Sequence, residues 1–303
     1  MADPLYQRVT LIGLGLIGSS LGHAMRRNEV ASEIIGCDQS EAVCARAVEI
    51  GFVDRATPDL TDSVADADLV ILCTPVGSFE AIGAAIAPHL KPGATISDVG
   101  SVKHNALDAL SRHMPAHVHL IPAHPVAGTE KSGPEAGFAD LFDGRWSIIT
   151  PPEGADSAAV ERLTRLWERC GSRVEVMDAA HHDLVLAITS HIPHLIAYNI
   201  VGTAADLEEV TKSEVIKYSA GGFRDFTRIA ASNPEMWRDI FLANKEAVLE
   251  MLGRFSEDLS SLQRAIRWED GEALEQLFTR TREIRRQVIE AGQDADQPDF
   301  GRR

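Results

Sequence analysis

The chain has 303 residues, of which 45% are hydrophobic, so it can form one large globular domain or two ordinary ones. Its formal net charge of −16 argues against nucleic acid or an anionic membrane as a partner, and an anionic substrate must therefore meet a local cluster of basic residues. No stretch of the sequence approaches the ~20 apolar residues that a membrane-spanning helix needs.

The first predicted elements are a strand, a glycine-rich turn and a helix. The apolar run Val9–Ile12 leads into Gly13, Gly15 and Gly18, and helix-forming sequence continues to Arg27. Gly13 permits the turn, Gly15 lets backbone N–H groups approach a pyrophosphate, and Gly18 lets the helix pack on the strand. The N-terminus of this helix then offers unpaired N–H groups and a partial positive charge to phosphates.

An acidic residue follows the next strand-like run. The run Glu33–Cys37 ends in Asp38, 20 residues after Gly18, where a carboxylate accepts hydrogen bonds from a ribose 2′-hydroxyl. Asp38 favours NAD over NADP, because it would repel a 2′-phosphate. The alternative is a turn that closes an α/β unit and binds no ligand. The predicted cofactor is NAD, and the predicted contacts are Gly13, Gly15, Leu16, Ile17, Gly18, Asp38, Thr74 and Pro75.

Strand-like runs alternate with helical patterns as far as residue 176. They are Val9–Ile12, Ile34–Cys37, Leu69–Cys73, Thr95–Asp98, Val118–Ile121, Trp146–Ile149 and Val174–Val176. Such alternation predicts an α/β fold with a mostly parallel, doubly wound sheet that carries helices on both faces. Residues 1–178 are therefore predicted to form a Rossmann-type NAD-binding domain.

Strand patterns end there, and residues 179–303 are predicted to form an all-α domain. Apolar helical sequence spans His181–Ala205, and Ser232–Glu235 is typical of a helix start with a cap residue followed by proline. One amphipathic helix of about 33 residues is predicted from there to Trp268, and another over Glu272–Ala291. So long an apolar face in so small a domain predicts a homodimer interface.

The four cysteines are predicted to be free thiols. Cys37, Cys44, Cys73 and Cys170 have no CxxC spacing, and the first and third lie in apolar, strand-like runs. Free thiols suit a reducing compartment, and the N-terminus has neither the basic nor the apolar segment of a secretory leader. The predicted location is the cytoplasm.

Two polar residues that follow strands suit the chemistry of a dehydrogenase. Ser101 comes after Thr95–Asp98, at the edge of the sheet where ligands bind, and is placed to reach a nicotinamide or a substrate hydroxyl. The alternative is a serine that caps the next helix. His124 comes after Val118–Ile121, and a histidine can take a hydroxyl proton near neutral pH. A lone histidine is more often structural, so spacing alone leaves this role open.

Basic residues in the helical part are candidates for binding an anion. His191 and His194 lie three apart on one helix face, and a metal site there has little support because no HExxH pattern or cysteine pair accompanies them. No metal is predicted. Arg224 and Arg228 lie four apart, and one guanidinium can bind a carboxylate through two hydrogen bonds. The alternative for either arginine is a surface salt bridge with Asp225.

Five motifs in chain order resemble those of the prephenate and arogenate dehydrogenases of tyrosine biosynthesis. They are GLGLIGSSL, DVGSVK, HPVAGTEKSG, SHIPH and GGFRDFTRIAASNPEMWRDI, and the resemblance spans residues 8–290. HPVAGTEKSG and DFTRIA are far more specific to the family than the glycine loop is. The resemblance implies oxidative decarboxylation of a cyclohexadienyl substrate: hydride leaves the ring carbinol carbon for NAD, the hydroxyl proton goes toward a base, and the ring carboxylate departs as CO₂.

The resemblance also implies roles for individual residues and a dimer formed through the helical domain. His124 is implied to accept the hydrogen bond of the ring hydroxyl, and Ser101 to orient that hydroxyl and the nicotinamide. The implied substrate contacts are His194 at the substrate side chain, Arg228 at a substrate carboxylate, Glu130 at the mouth of the site, and Thr129.

Two other kinds of protein are alternatives. A β-hydroxyacid dehydrogenase also joins a Rossmann-type domain to a helical one and uses a catalytic lysine, for which Lys212 and Lys217 are present without a recognisable motif. A non-catalytic, NAD-sensing dimer would have the glycine loop without a convergent set of histidine, arginine and serine. The choice between prephenate and arogenate, which differ by a keto group or an ammonium on the side chain, stays open.

Overall fold

The chain divides into two compact units, Met1–Val248 and Leu249–Arg303. The computed structural model describes residues 3–129, 131–206, 217 and 221–290. The strands are β1 (Tyr6–Ile12), β2 (Ala31–Cys37), β3 (Arg55–Thr57), β4 (Leu69–Leu72), β5 (Thr95–Asp98), β6 (His119–Leu120), β7 (Ala123–Pro125), β8 (Trp146–Ile149) and β9 (Arg173–Val176).

Helices separate most of these strands and continue beyond them. They are α1 (Leu16–Arg27), α2 (Glu41–Ile50), α3 (Leu60–Val64), α4 (Phe79–Ile86), α5 (Lys103–Ser111), α6 (Ser157–Arg169), α7 (Ala179–Leu186), α8 (Ile192–Ala205), α9 (Gly221–Thr227), α10 (Pro234–Ala243), α11 (Lys245–Arg267) and α12 (Gly271–Glu290).

The first six strands form one parallel sheet in the order β3-β2-β1-β4-β5-β6. The central strand β1 pairs with both β2 and β4, and Val9 lies opposite Ile34 on one side and Leu69 on the other. All four residues of β4 are buried, as expected of a parallel strand covered on both faces. Two apolar clusters cover the two faces of the sheet. The predicted doubly wound sheet is confirmed.

A second, three-stranded sheet was not predicted as a separate element. Here β7 runs antiparallel to β8, which runs parallel to β9. Strands β3 and β7 were not predicted from the sequence, and the predicted run Val118–Ile121 is longer than strand β6. Both missed strands have three residues, and β7 contains Pro125, which cannot donate to a ladder. Such short strands are stabilised by their neighbours rather than by local sequence.

The helical part opens with one continuous helical run, Ala179–Ala205, of 27 residues. It consists of α7, the π-helical turn Ala187–His191 and α8, and Pro193 is the second residue of α8. By length and composition this run is able to cross a membrane, which corrects the expectation that no stretch approaches such a length. His182, Asp183 and His191 are nevertheless buried in it, and buried, hydrogen-bonded polar groups are typical of a helix packed within a protein.

The single helix predicted from residue 234 to Trp268 is two helices. Asn233 caps α10, since its side chain accepts a hydrogen bond from the backbone N–H of Met236 at 2.9 Å, which confirms the predicted start. The chain leaves helical geometry at Asn244, and α11 begins at Lys245. Asn244 is buried and its side chain is hydrogen-bonded to other elements, so contacts outside its own helix stabilise the break.

The second unit contains most of α11 and all of α12. The predicted helix Glu272–Ala291 corresponds to α12, and Ala291 lies outside the described residues. Strand β9 ends at Val176 and α7 begins at Ala179, whereas the two compact units separate after Val248. The predicted boundary between residues 178 and 179 therefore stays a prediction.

Candidate active site

The glycine-rich turn between β1 and α1 has the geometry of a phosphate-binding loop. Gly13 has φ of +96°, a backbone conformation that favours glycine. A Cβ atom on Gly18 would lie 2.1 Å from the carbonyl oxygen of Gly13, so only glycine allows α1 to approach the turn. A Cβ on Gly15 would meet no protein atom within 4 Å. Gly15 precedes the first turn of α1, which has no side-chain cap, so the backbone N–H groups of Leu16 and Ile17 belong to an uncapped helix N-terminus.

The other predicted cofactor residues surround this turn. Asp38 follows β2, and its two carboxylate oxygens accept hydrogen bonds from the backbone N–H groups of Leu14, at 3.2 Å, and Ser40, at 3.1 Å. Thr74 lies across from Gly13, because a Cβ there would be 2.8 Å from its methyl carbon. Pro75 follows Thr74 and precedes a 3₁₀ turn. The open space at Gly15, the free helix N-terminus and the adjacent carboxylate together fit a dinucleotide such as NAD.

A buried charged pair holds the loop after β5. Asp98 and Lys103 are both fully buried, and the ammonium of Lys103 binds the carboxylate of Asp98 and the carbonyl oxygen of Ala123, the latter at 2.7 Å. The N–H of Gly100 donates to Asp98 at 2.8 Å. Burial raises the pKa of Asp98 and lowers that of Lys103, and the opposite charge of each partner counteracts these effects. Ser101 is half-buried and lies between Asp98 and Lys103 in the sequence.

His124, on β7, is the first member of a series of hydrogen-bonded side chains. It is 7% exposed, and its Nδ1 lies 2.8 Å from Nε2 of His182. Nδ1 of His182 lies 2.8 Å from an oxygen of Asp183. The same carboxylate accepts hydrogen bonds from the backbone N–H groups of Lys103, at 2.8 Å, and His104, at 2.9 Å. Asp183, rather than Ser101, therefore caps α5, and this argues against the alternative role of Ser101.

Burial and neighbouring charges favour the neutral form of the two hydrogen-bonded imidazoles, His124 and His182. Burial lowers the pKa of His124 well below its ordinary value, and the charges of His182, Lys103 and His191 lower it further. Burial also lowers the pKa of His182, against the opposing hydrogen bond to Asp183. For Asp183 itself burial opposes ionisation, but the hydrogen bonds from His182 and from two backbone amides outweigh it and lower the pKa of the carboxyl. An ionised Asp183 beside neutral histidines follows at neutral pH.

The helical part contributes a second group of side chains. The ring of His194 stacks on Trp237 with the ring centroids 3.7 Å apart and the planes at 22°, and its Nδ1 lies 2.9 Å from the carbonyl oxygen of Ser190. Burial and the positive charge of Arg228, which is exposed, lower the pKa of His194. Arg224 instead lies 3.3 Å from Asp225.

His191 is a buried, structural member of this group. Its Nδ1 lies 3.1 Å from the side-chain nitrogen of Asn244, and burial lowers its pKa to about 4. Asn244 also donates to the carbonyl oxygen of Asp183 at 2.9 Å. Among the described residues, no group of three or more histidine, cysteine or acidic side chains has the arrangement of a metal site.

The other polar residues named from the sequence are either exposed or outside the described residues. Thr129 is exposed, and its hydroxyl accepts a hydrogen bond from the N–H of Lys131 at 3.2 Å. Glu130 and Lys212 lie outside the described residues, and Lys217 is exposed.

All four cysteines are free thiols, as predicted, and three are buried while Cys73 is partly exposed.

Several residues of the site were not predicted from the sequence. They are Asp98, Lys103, His182, Asp183, Trp237 and Asn244. The first two lie in the DVGSVK motif, and His182 and Asp183 lie directly before the apolar run of α7. A charged residue that interrupts an apolar segment is the pattern that would have indicated them.

This combination of fold and site defines a class of protein. A doubly wound parallel sheet with an open glycine turn and an acid after β2 is typical of nicotinamide-dependent dehydrogenases. A neutral, buried histidine beside that sheet can accept the proton that an alcohol loses when it is oxidised.

Comparisons with known proteins identify the family within this class. The profile described as "Prephenate dehydrogenase, nucleotide-binding domain" matches residues 21–176, and "Prephenate dehydrogenase, dimerization domain" matches residues 178–280. The cyclohexadienyl dehydrogenase of Zymomonas mobilis is 42% identical over 281 residues, which cover 93% of this chain and 96% of that protein. The prephenate dehydrogenase of Bacillus subtilis is 33% identical, covering 91% of this chain and 75% of the relative.

A solved structure agrees with the sequence relatives. Prephenate dehydrogenase from Aquifex aeolicus, crystallised with hydroxyphenyl propionate and NAD⁺, superimposes with a TM-score of 0.85 at 34% identity and covers 93% of this chain and 98% of its own. The chain therefore belongs to the prephenate dehydrogenase family and is an NAD-dependent dehydrogenase. This confirms the resemblance, the fold and the cofactor that the sequence predicts.

Proposed function

We propose that the protein catalyses the NAD-dependent oxidative decarboxylation of prephenate, arogenate or both. The products are 4-hydroxyphenylpyruvate or tyrosine, with NADH and CO₂, and the reaction serves tyrosine biosynthesis in the cytoplasm. The observation that carries the proposal is His124, a buried imidazole with a lowered pKa, within a chain whose relatives are named cyclohexadienyl dehydrogenase and prephenate dehydrogenase. Its neutral form is the one that can accept a proton.

The proposed chemistry assigns His124 and Ser101 to the ring hydroxyl of the substrate. NAD, when bound at the glycine turn, supplies the acceptor for the hydride. Ser101 orients the hydroxyl, and His124 accepts its proton as the carbon–hydrogen bond breaks. The bond to the ring carboxylate then breaks, its electron pair makes the ring aromatic, and CO₂ leaves. The proton on His124 returns to the ring oxygen, so that no net proton is released.

The proposed substrate site also includes residues from the helical part. We assign His194 to the substrate side chain and Arg228 to a substrate carboxylate, because the charge of Arg228 acts on the ring of His194. Glu130 is assigned to the mouth of the site, and Thr129 is assigned to substrate binding. The proposed division into a cofactor domain, residues 1–178, and a helical domain, residues 179–303, is supported by two family profiles that meet at residues 176 and 178. The helical domain is proposed to form a homodimer.

A direct assay tests the proposal. The purified protein is incubated with NAD and either prephenate or arogenate, NADH absorbance is followed, and the aromatic product and CO₂ are quantified. We expect equal amounts of NADH, CO₂ and aromatic product from at least one substrate. NADH formed only from small β-hydroxyacids would support the alternative enzyme class instead. NAD binding without turnover of any of these compounds would support a cofactor sensor.

A further inference from the structure

We infer that His182 and Asp183 are positioning residues that set the tautomer of His124, so that Nε2 of His124 is the atom that accepts the substrate proton. The three side chains form one hydrogen-bonded series from the carboxylate of Asp183 to the imidazole of His124. The catalytic consequence rests on the proposed function, whereas the tautomer itself is a property of the free protein.

Asp183 is ionised, because its hydrogen bonds lower the pKa of the carboxyl group. Its carboxylate accepts the backbone N–H groups of Lys103 and His104, at the N-terminus of α5, and a helix N-terminus favours negative charge. An ionised carboxylate has only acceptor atoms. The nitrogen of His182 that lies 2.8 Å from it, Nδ1, must therefore carry a proton.

The position of the proton on His182 determines the position of the proton on His124. His182 is fully buried and neutral, so with the proton on Nδ1 its Nε2 offers only a lone pair. Nδ1 of His124 lies 2.8 Å from that lone pair. Two lone pairs at this distance would repel, so Nδ1 of His124 must donate a proton. In a neutral ring Nε2 is then unprotonated, and it makes no hydrogen bond to any residue that the structure describes.

The surroundings of His124 keep the ring neutral before reaction. Burial and the positive charge of Lys103, on α5, disfavour an imidazolium at His124, and a proton on either neighbouring ring, His182 or His191, would disfavour it further. Once His124 takes the substrate proton, its Nδ1–H already points along the series toward the negative charge of Asp183. The same carboxylate holds the N-terminus of α5 next to Ser101, so one side chain positions both groups that the proposed reaction requires at the hydroxyl.

The tautomer can be measured without any substrate. Nitrogen NMR of histidine-labelled protein distinguishes a protonated ring nitrogen from one with a lone pair, and His124→Asn and His182→Gln identify the two rings by loss of their resonances. We expect both rings to carry their proton on Nδ1. A proton on Nε2 of His124 would overturn the inference, whatever the protein turns out to catalyse.

Kinetics of paired variants test the catalytic consequence. In His182→Gln the amide oxygen can still accept the N–H of His124, whereas His182→Phe leaves that N–H without an acceptor. We expect His182→Phe to lose about 10²–10³-fold in kcat, with KM and NAD affinity nearly unchanged, and His182→Gln to recover much of the loss. His181→Phe, an exposed neighbour on the same helix, is the matched control and should leave kcat unchanged.

The two measurements separate the possible failures. Equal kcat for His182→Gln and His182→Phe, in folded proteins with unchanged melting temperature, would contradict the positioning role. A wild-type protein that turns over neither prephenate nor arogenate would contradict the proposed function, while the NMR result would still decide the tautomer. If His182→Phe does not fold, the tautomer in the wild type and the activity of His182→Gln decide the matter.

Discussion

Asp38 is the residue whose substitution most directly tests the choice of coenzyme. Its carboxylate lies beside the glycine turn, within 3.2 Å of the N–H of Leu14, and is predicted to bind a ribose 2′-hydroxyl. In Asp38→Ser we expect kcat/KM for NAD to fall and the preference over NADP to narrow, because the repulsion of a 2′-phosphate is removed. Steady-state rates with both coenzymes measure this. Asp66→Ser, an exposed carboxylate elsewhere, is the control, and equal kcat/KM for the two coenzymes in the wild type would contradict the role of Asp38.

His124 is expected to affect the chemical step more than substrate binding. His124→Asn keeps a polar side chain of similar size but cannot take a proton at neutral pH. We expect kcat to fall by about 10²–10⁴-fold, with a much smaller change in KM. Single-turnover rates of NADH formation would show whether the loss lies in chemistry. A kcat close to that of the wild type would exclude His124 as the acceptor.

Arg228 and Arg224 provide a matched pair for substrate binding. The protein carries a net charge of −16, so a carboxylate substrate needs a local cation, and the charge of Arg228 reaches His194. Removal of a guanidinium that binds a buried carboxylate costs about 2–5 kcal/mol, so Arg228→Ala should raise KM strongly while NAD binding stays normal. Arg228→Lys should recover only part, because it keeps the charge but loses the paired hydrogen bonds.

The alternative assignment of the two arginines predicts the opposite pattern. If Arg224 faces the substrate, Arg224→Ala should raise KM strongly and Arg228→Ala should have little effect. The structure places Arg224 3.3 Å from Asp225, which already engages its charge. We therefore expect Arg224→Ala to have the smaller effect, and KM for both single variants decides between the assignments.

The residues that sequence reasoning identified differ in kind from those it missed. Ser101 and His124 follow strand-like runs, and their side chains have a chemistry that can be recognised in isolation. Asp183 acts through backbone groups 80 residues earlier in the chain, and His182 through a ring 58 residues earlier. Such partners are brought together only by the tertiary fold, so a local pattern can mark a charged residue beside an apolar segment but cannot identify the group that it contacts.

At the scale of elements, the sequence predicted the long, strongly patterned segments and missed the breaks within them. The five predicted runs of the main sheet lie on five of its six strands, because buried parallel strands are continuously apolar. The break at Asn244 was missed because the helical spacing of apolar residues continues across it, from Ile240 to Met251. Its side chain is bonded to Asp183 and lies beside His191, and these tertiary contacts override the helical pattern.

The glycine turn gives an element-level prediction in which two similar substitutions have different effects. A methyl group at Gly15 meets no protein atom within 4 Å, so Gly15→Ala should leave the melting temperature unchanged and weaken NAD binding by occupying the space of the pyrophosphate. A methyl group at Gly18 would lie 2.1 Å from the carbonyl oxygen of Gly13, so Gly18→Ala should lower thermal stability.

Two measurements on each variant test this difference. Calorimetry gives the melting temperature without coenzyme, and fluorescence titration gives the Kd for NAD. A Gly15→Ala protein that binds NAD as tightly as the wild type would show that the coenzyme does not approach this turn. A Gly18→Ala protein of unchanged stability would show that α1 can shift without cost.

At the scale of the whole molecule, the second unit exposes an apolar surface that a monomer would leave in water. No residue of α12 is buried. The large exposed apolar side chains of this unit are Leu249, Leu259, Ile266, Trp268, Phe278, Ile284 and Val288. Several large exposed apolar side chains within two helices favour an interaction surface on this unit. The family profile that matches residues 178–280 is named for dimerization, which supports a second copy of the chain as the occupant.

Phe278 tests the proposed dimer. Burying a phenylalanine side chain contributes about 1.5–3 kcal/mol, and each substitution acts twice in a two-fold symmetric dimer. With a charge added at the same place, Phe278→Asp should weaken dimerisation by more than about 100-fold, because a change of 1.4 kcal/mol is tenfold in Kd. Thr279→Asp adds the same charge one residue further along α12, on a different face, and should leave the dimer intact. Sedimentation velocity over a concentration series measures both. A monomeric wild type would contradict the dimer, and a Phe278→Asp protein that sediments like the wild type would place the interface elsewhere.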